Sequence, residues 1–116
     1  MNVYERYNEL TLAAQNISDY LGFMRTAWDN FFVEDVTGFL ADIDDKLYAI
    51  KDLSKDFSAL RGQLTNNTSK WCYQVRRDIG EQLADLTCLS GGFAQLSNEV
   101  KAEMMESMQC TFHSCV

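Results

Sequence analysis

The chain contains no proline. Proline punctuates turns and interrupts helices, so its absence speaks against loop-rich and all-β folds and for long, uninterrupted helices. Histidine occurs once, at His113, which leaves little material for acid–base or metal chemistry. No stretch approaches the ~18 consecutive apolar residues that a membrane-spanning helix needs. The N-terminal Met-Asn-Val-Tyr-Glu-Arg-Tyr shows no basic segment followed by an apolar run, so no signal peptide is expected. Four cysteines (Cys72, Cys88, Cys110 and Cys115) are too sparse for a secreted disulfide scaffold. A reducing, cytoplasmic setting with free thiols is the expectation, and the sequons at Asn16, Asn66 and Asn67 are then read as chance.

Positive charge is scarce in the first half. Residues 1–45 carry nine acids (Glu5, Glu9, Asp19, Asp29, Glu34, Asp35, Asp42, Asp44 and Asp45) against Arg6 and Arg25 alone. Residues 46–116 balance, with eight acids and eight bases. A net charge of −7 disfavours a direct grip on nucleic-acid phosphates and fits a basic partner protein instead. Against these shortages stands an ample apolar fraction. With 47% hydrophobic and 12% aromatic residues in 116, the chain can build one real core.

Apolar residues recur at helical intervals in three runs. In the first, Val3, Tyr7, Leu10, Ala14, Ile17, Leu21, Met24, Trp28 and Phe31 alternate spacings of four and three, an unbroken heptad stripe. Gly22 lies inside this run and is expected to mark a close contact with a neighbouring helix. The second run follows Asp-Asn-Phe-Phe-Val-Glu-Asp, with Glu34 and Asp35 placed where acids favour a helix N-terminus. Its stripe is Val36, Leu40, Ile43, Leu47, Ile50, Leu53, Phe57, Leu60 and Leu64. It ends in Thr-Asn-Asn-Thr-Ser, which offers Thr68 or Ser69 as the next N-cap. The third run comprises Cys72, Val75, Ile79, Gln82, Leu86, Leu89, Phe93, Leu96, Val100 and Met104.

Gly91-Gly92 interrupts this third run without changing its phase, whereas a loop normally resets phase. One long, kinked or straight helix is therefore favoured over two. Three long helices with short connections give an all-α, antiparallel three-helix bundle with coiled-coil-like packing; a break at the glycines would give four helices. Residues 1–108 are assigned to the single bundle domain and 109–116 to a flexible C-terminal tail.

Two surfaces stand out as binding candidates. Asp35, Asp42, Asp45, Asp52 and Asp56 fall within about a 100° arc of the second helix. The arc is either an ordinary solvated face, with Asp42–Lys46 as an i,i+4 pair, or a docking strip whose carboxylates stand in for phosphates. Tyr20 and Phe23 lie off the main stripe of the first helix. They are either part of a widened core face or an exposed aromatic patch for a partner or an oligomer. The tail groups Cys110, His113 and Cys115, three soft ligands within six residues, but a structural zinc site needs four, usually as two pairs.

Catalysis finds no support: the lone histidine sits in the tail, and no Glu-x-x-His motif of bundle di-metal sites is present. The expectation is a non-enzymatic, cofactor-free protein-binding module, an acidic inhibitor or adaptor that docks on a basic partner surface such as that of a nucleic-acid-binding protein. It is expected to bind neither nucleic acid nor membrane directly. Two alternatives accompany it. One is a structural subunit of a helical homo- or hetero-oligomer, held by Tyr20, Phe23, Met104, Met105 and Met108. The other is a small metal- or thiol-dependent protein centred on the tail.

Overall fold

A computed structural model describes the backbone of residues 2–114 and the side chains of residues 2–107. Three helices account for it: α1 (Val3–Asp29), α2 (Val36–Gln63) and α3 (Lys70–Ser114). Among the described residues there is no strand. Each helix starts on a side-chain cap. Asn2 accepts from the Glu5 N–H at 2.8 Å, Asp35 from Gly38 at 2.9 Å, and the Ser69 hydroxyl from Cys72 at 3.2 Å. Each cap satisfies a backbone donor that the first helical turn leaves without an intrahelical partner.

The helices run up, down and up. Tyr4 lies 6.2 Å from Trp71 at one end, and Arg25 pairs with Glu99 near the other, so α1 and α3 are parallel with α2 antiparallel between them. The core is the heptad stripes. Ile43, Phe57, Ile79, Leu86, Phe93, Leu96 and Val100 are all sealed from solvent. α2 and α3 supply most of it, whereas α1 contributes only Leu10, Ala14 and Met24 as fully buried members. The all-α three-helix bundle read from the periodicity is the observed architecture.

α3 passes through Gly91-Gly92 without a break. Neither glycine takes a positive φ, so neither acts as a helix C-cap. Gly92 faces α1, and a Cβ there would stand 2.7 Å from a Leu21 methyl. It is Gly92 that lets two helices approach. Gly22, expected to do so, has open space around its Cα, and that expectation is corrected. At 45 residues α3 is about 67 Å long, against about 41 Å for α1 and α2, and the molecule measures 71 × 20 × 18 Å. The backbone of α3 continues to Ser114, into the segment 109–116 that the sequence sets apart as a tail.

The stripe of α1 fails at its last member. The helix ends at Asp29, and Phe31 has φ 60° and is 89% exposed. Asn30, Phe31 and Phe32 form a Schellman stop. The Phe32 N–H donates to the Ala27 carbonyl at 2.9 Å, and the Phe31 N–H to that of Trp28 at 3.2 Å. Phe31 thus occupies the left-handed position that such stops usually give to glycine.

Candidate functional site: an acidic aromatic groove between α1 and α2

The Schellman stop turns the chain sharply and brings the end of α1 against the start of α2. Between them lies an open groove of about 740 Å³. Buried Met24 and half-buried Phe39 form its base. Trp28 stacks on Phe39 with centroids 6.0 Å apart and an interplanar angle of 22°, which fixes that ring. Tyr20, Phe23 and Phe32 line it together with Thr26, Ala27, Val33 and Gly38, and Glu34, Asp35 and Asp42 add three carboxylates. Phe23 is 69% exposed and Phe32 75%, so two large apolar rings face water beside three carboxylates.

Tyr20 and Phe23, treated as a pair in the sequence, divide their roles. Tyr20 is half-buried and packs on the core, while Phe23 projects outward with its ring 6.2 Å away. Lys46 does not pair with Asp42. Its ammonium sits 4.4 Å above the Tyr20 ring, a cation–π contact that ties α2 to α1. Leu12, on the outer side of α1, is 63% exposed.

The five aspartates of α2 also differ. Asp35 and Asp42 line the groove. Asp35 is at the same time the N-cap of α2, and a Cβ on Gly38 would collide with its carboxylate, so that glycine is part of the cap. Asp45 and Asp52 are exposed on the helix beyond the groove. Asp56 lies 3.6 Å from the guanidinium of Arg6, across the α1–α2 interface. The strip is therefore anionic at the groove end and partly matched at the other, where Lys51 and Lys55 also intervene in sequence.

Two groove residues, Phe32 and Glu34, were not singled out by periodicity. The signal for them is the paired phenylalanines of Asn-Phe-Phe-Val-Glu-Asp, large apolar residues in a connection that polar residues normally fill. A smaller recess of about 380 Å³ at the same end is lined by Trp28, Val36, Glu103, Met104 and Ser107. Met104 is partly exposed at this recess and Met105 is exposed beside it in sequence, outside the lining; the side chain of Met108 lies outside the described residues.

The tail candidates Cys110, His113 and Cys115 also lie outside the residues whose side chains are described. Among the described residues no group of three or more His, Cys, Asp or Glu is arranged to hold a metal ion, and no helix is long and apolar enough to cross a membrane. Cys72 is buried and Cys88 exposed, both as free thiols. Among the described residues Tyr7 has a perturbed titration: its hydroxyl is pushed above the usual tyrosine value by burial and then by the negative charges of Asp78 and Glu81. In comparisons with known proteins, no family profile matches this chain, and neither a curated protein nor a solved structure matches it significantly.

Proposed function

We propose that this chain is a non-enzymatic protein-binding module that takes a cationic, apolar-tipped segment of a partner protein into the groove between α1 and α2. The observation that carries the reading is the coincidence of Phe23 and Phe32, both exposed, with Glu34, Asp35 and Asp42 in one groove. Aromatic rings in a partly desolvated groove supply affinity, and surrounding carboxylates supply steering and selection. A partner that inserts an apolar side chain flanked by Lys or Arg meets both. Anionic membranes and nucleic-acid backbones are repelled by the same carboxylates.

Asp42 and Asp45 extend the anionic surface from the groove along α2, as far as the stretch where Lys51 and Lys55 flank Asp52. A nucleic-acid-binding protein is therefore the partner class we name, with inhibition or recruitment as the outcome. The sparse cysteines of the sequence are the ground on which we place the chain in a reducing, cytoplasmic setting.

The test is titration with a helical peptide of lysine and leucine, followed by calorimetry and amide NMR shifts, with a glutamate–leucine peptide as control. Binding of the cationic peptide alone, with shifts centred on Tyr20, Phe23, Phe32 and Asp42, is expected. Joint substitution Glu34→Gln, Asp42→Asn and Asp45→Asn should weaken it about tenfold and flatten its salt dependence. Equal binding of both peptides, or shifts confined to other faces, overturns the reading.

A further inference from the structure

The groove is one pole of a molecule that is polar in charge from end to end. Residues 29–45, at the α1–α2 end, hold six acids (Asp29, Glu34, Asp35, Asp42, Asp44 and Asp45) and no base. The opposite end, where α2 turns into α3 beside the start of α1, holds Arg6, Arg61, Lys70, Arg76 and Arg77 against Glu5, Asp56 and Asp78, a small positive excess. That second end is also aromatic. Tyr4, Trp71 and Tyr73 are 57%, 44% and 65% exposed. Arg76 is committed to the fold: it lies 4.5 Å over the Tyr73 ring and donates to the Thr65 carbonyl at 3.2 Å. Arg61, Lys70 and Arg77 are exposed on the surface around it.

We propose, resting on the reading of the groove as a docking site, that in the absence of a partner protein its occupant is the basic aromatic end of a second copy of this chain. The chemistry asked of a partner is an apolar tip flanked by cations, and the α2–α3 end of the chain has that composition. Trp71 and Tyr73 are aromatic residues near Lys70 and Arg77 in sequence, and the open groove of about 740 Å³ has room for such a ring. With a net charge of −7, two copies meeting by like surfaces repel, so only contact between unlike ends is favoured. Such a contact is heterologous: each copy keeps one unused groove and one unused basic end, unless two copies close antiparallel and use both. An end of about 20 × 18 Å is small against the ~800 Å² that each partner of a stable complex covers. The association is accordingly weak, reversible and salt-sensitive.

Sedimentation velocity of the full chain tests this. At ~20 mM salt the mean mass should rise above 13.3 kDa with concentration, and at ~500 mM it should return to that value. Two exposed-surface variants follow, with circular dichroism as the check on folding. Glu34→Gln with Asp42→Asn disables the groove and leaves the Asp35 cap in place. Arg61→Gln with Arg77→Gln disables the basic end. Each alone should weaken association about tenfold. Mixed together they should form a 1:1 complex of wild-type strength, because one still offers the groove and the other the basic end. A chain monomeric at every concentration and salt, or variants that associate as before, overturns the self-docking proposal. If the lysine–leucine peptide still binds the groove in that case, the docking reading survives alone; if the peptide does not bind, both fall.

Discussion

Replacing Phe31 by glycine should make this protein more stable. Phe31 holds φ 60° at the position after the last capping residue of α1, where a Cβ crowds the following carbonyl. A non-glycine residue in that conformation is disfavoured by roughly 1–2 kcal/mol, and glycine by almost nothing. Truncating a core phenylalanine forfeits about 3–5 kcal/mol, but Phe31 is 89% exposed, so little burial is given up here. The two backbone bonds of the stop, Phe32 to Ala27 and Phe31 to Trp28, are made by main-chain atoms and persist in the variant. A net gain of about 1 kcal/mol is therefore expected, or about 4 °C in thermal midpoint for a chain of this size. Phe31→Ala is the control: it removes the ring but keeps the Cβ, so it should change stability by less than about 0.5 kcal/mol. The assay is thermal and urea denaturation of the three proteins. A glycine variant that is destabilised, or an alanine variant that gains as much, refutes the assignment of strain to this residue. Lining a recess with Trp28, Asp29, Val33 and Glu103, the ring also borders the acidic end, so the stabilised glycine variant should bind the cationic peptide less tightly.

Other expectations follow from single residues. Gly22→Ala and Gly91→Ala meet open space in mid-helix and should each stabilise by about 1 kcal/mol, whereas Gly92→Ala presses on Leu21 and should gain nothing or lose, as denaturation midpoints will show. Asp35→Ala removes the cap of α2 and should lower stability by about 1 kcal/mol, while Asp35→Asn keeps a capping oxygen and should change it little; a difference between them isolates the cap from the charge. Tyr7 holds its proton more tightly folded than unfolded, so between the unfolded value near 10.0 and its raised folded value the native state binds the extra proton. Stability should then decline as pH rises through and above 10, and Tyr7→Phe should reduce that decline in urea titrations at alkaline pH. In hydrogen exchange, α1 should open first, since only Leu10, Ala14 and Met24 on it are fully buried.

Helix number and core were legible because they depend on period alone. A heptad phase that survives Gly91-Gly92 requires that Leu86 and Phe93 share a face, and a helix is the local structure that keeps that phase across seven residues. Where the reading failed, the deciding fact was three-dimensional. Gly22 and Gly92 look alike in sequence, since each is a helical glycine beside apolar neighbours. Only the interhelical distance separates them, and that distance is set by side chains on the opposite helix, Leu21 in the case of Gly92. Phe31 sits in register with Trp28, yet a stripe carries no information about where the helix stops. The usual marker of a Schellman stop is a glycine, and here a phenylalanine takes its place.

The groove was half-legible for a related reason. Charge counting found the acidic end, and off-stripe aromatics found Tyr20 and Phe23, but as two surfaces on two helices. Their union depends on the turn between α1 and α2, which swings Phe32 and Glu34 onto Tyr20, Phe23 and Asp42. Periodicity ranks residues within one helix and is silent about connections. The same limit explains why the aspartate strip looked uniform. On a helical wheel Asp35 and Asp56 share an arc, yet one is bound to its own backbone and the other faces Arg6 of α1. A carboxylate already holding a backbone donor or a guanidinium has less to offer a partner than Asp42, which has no cation within 4 Å in the described structure. Substitutions aimed at docking should therefore be concentrated on Glu34, Asp42 and Asp45. A five-fold aspartate replacement would confound lost binding with a lost helix cap and a lost ion pair.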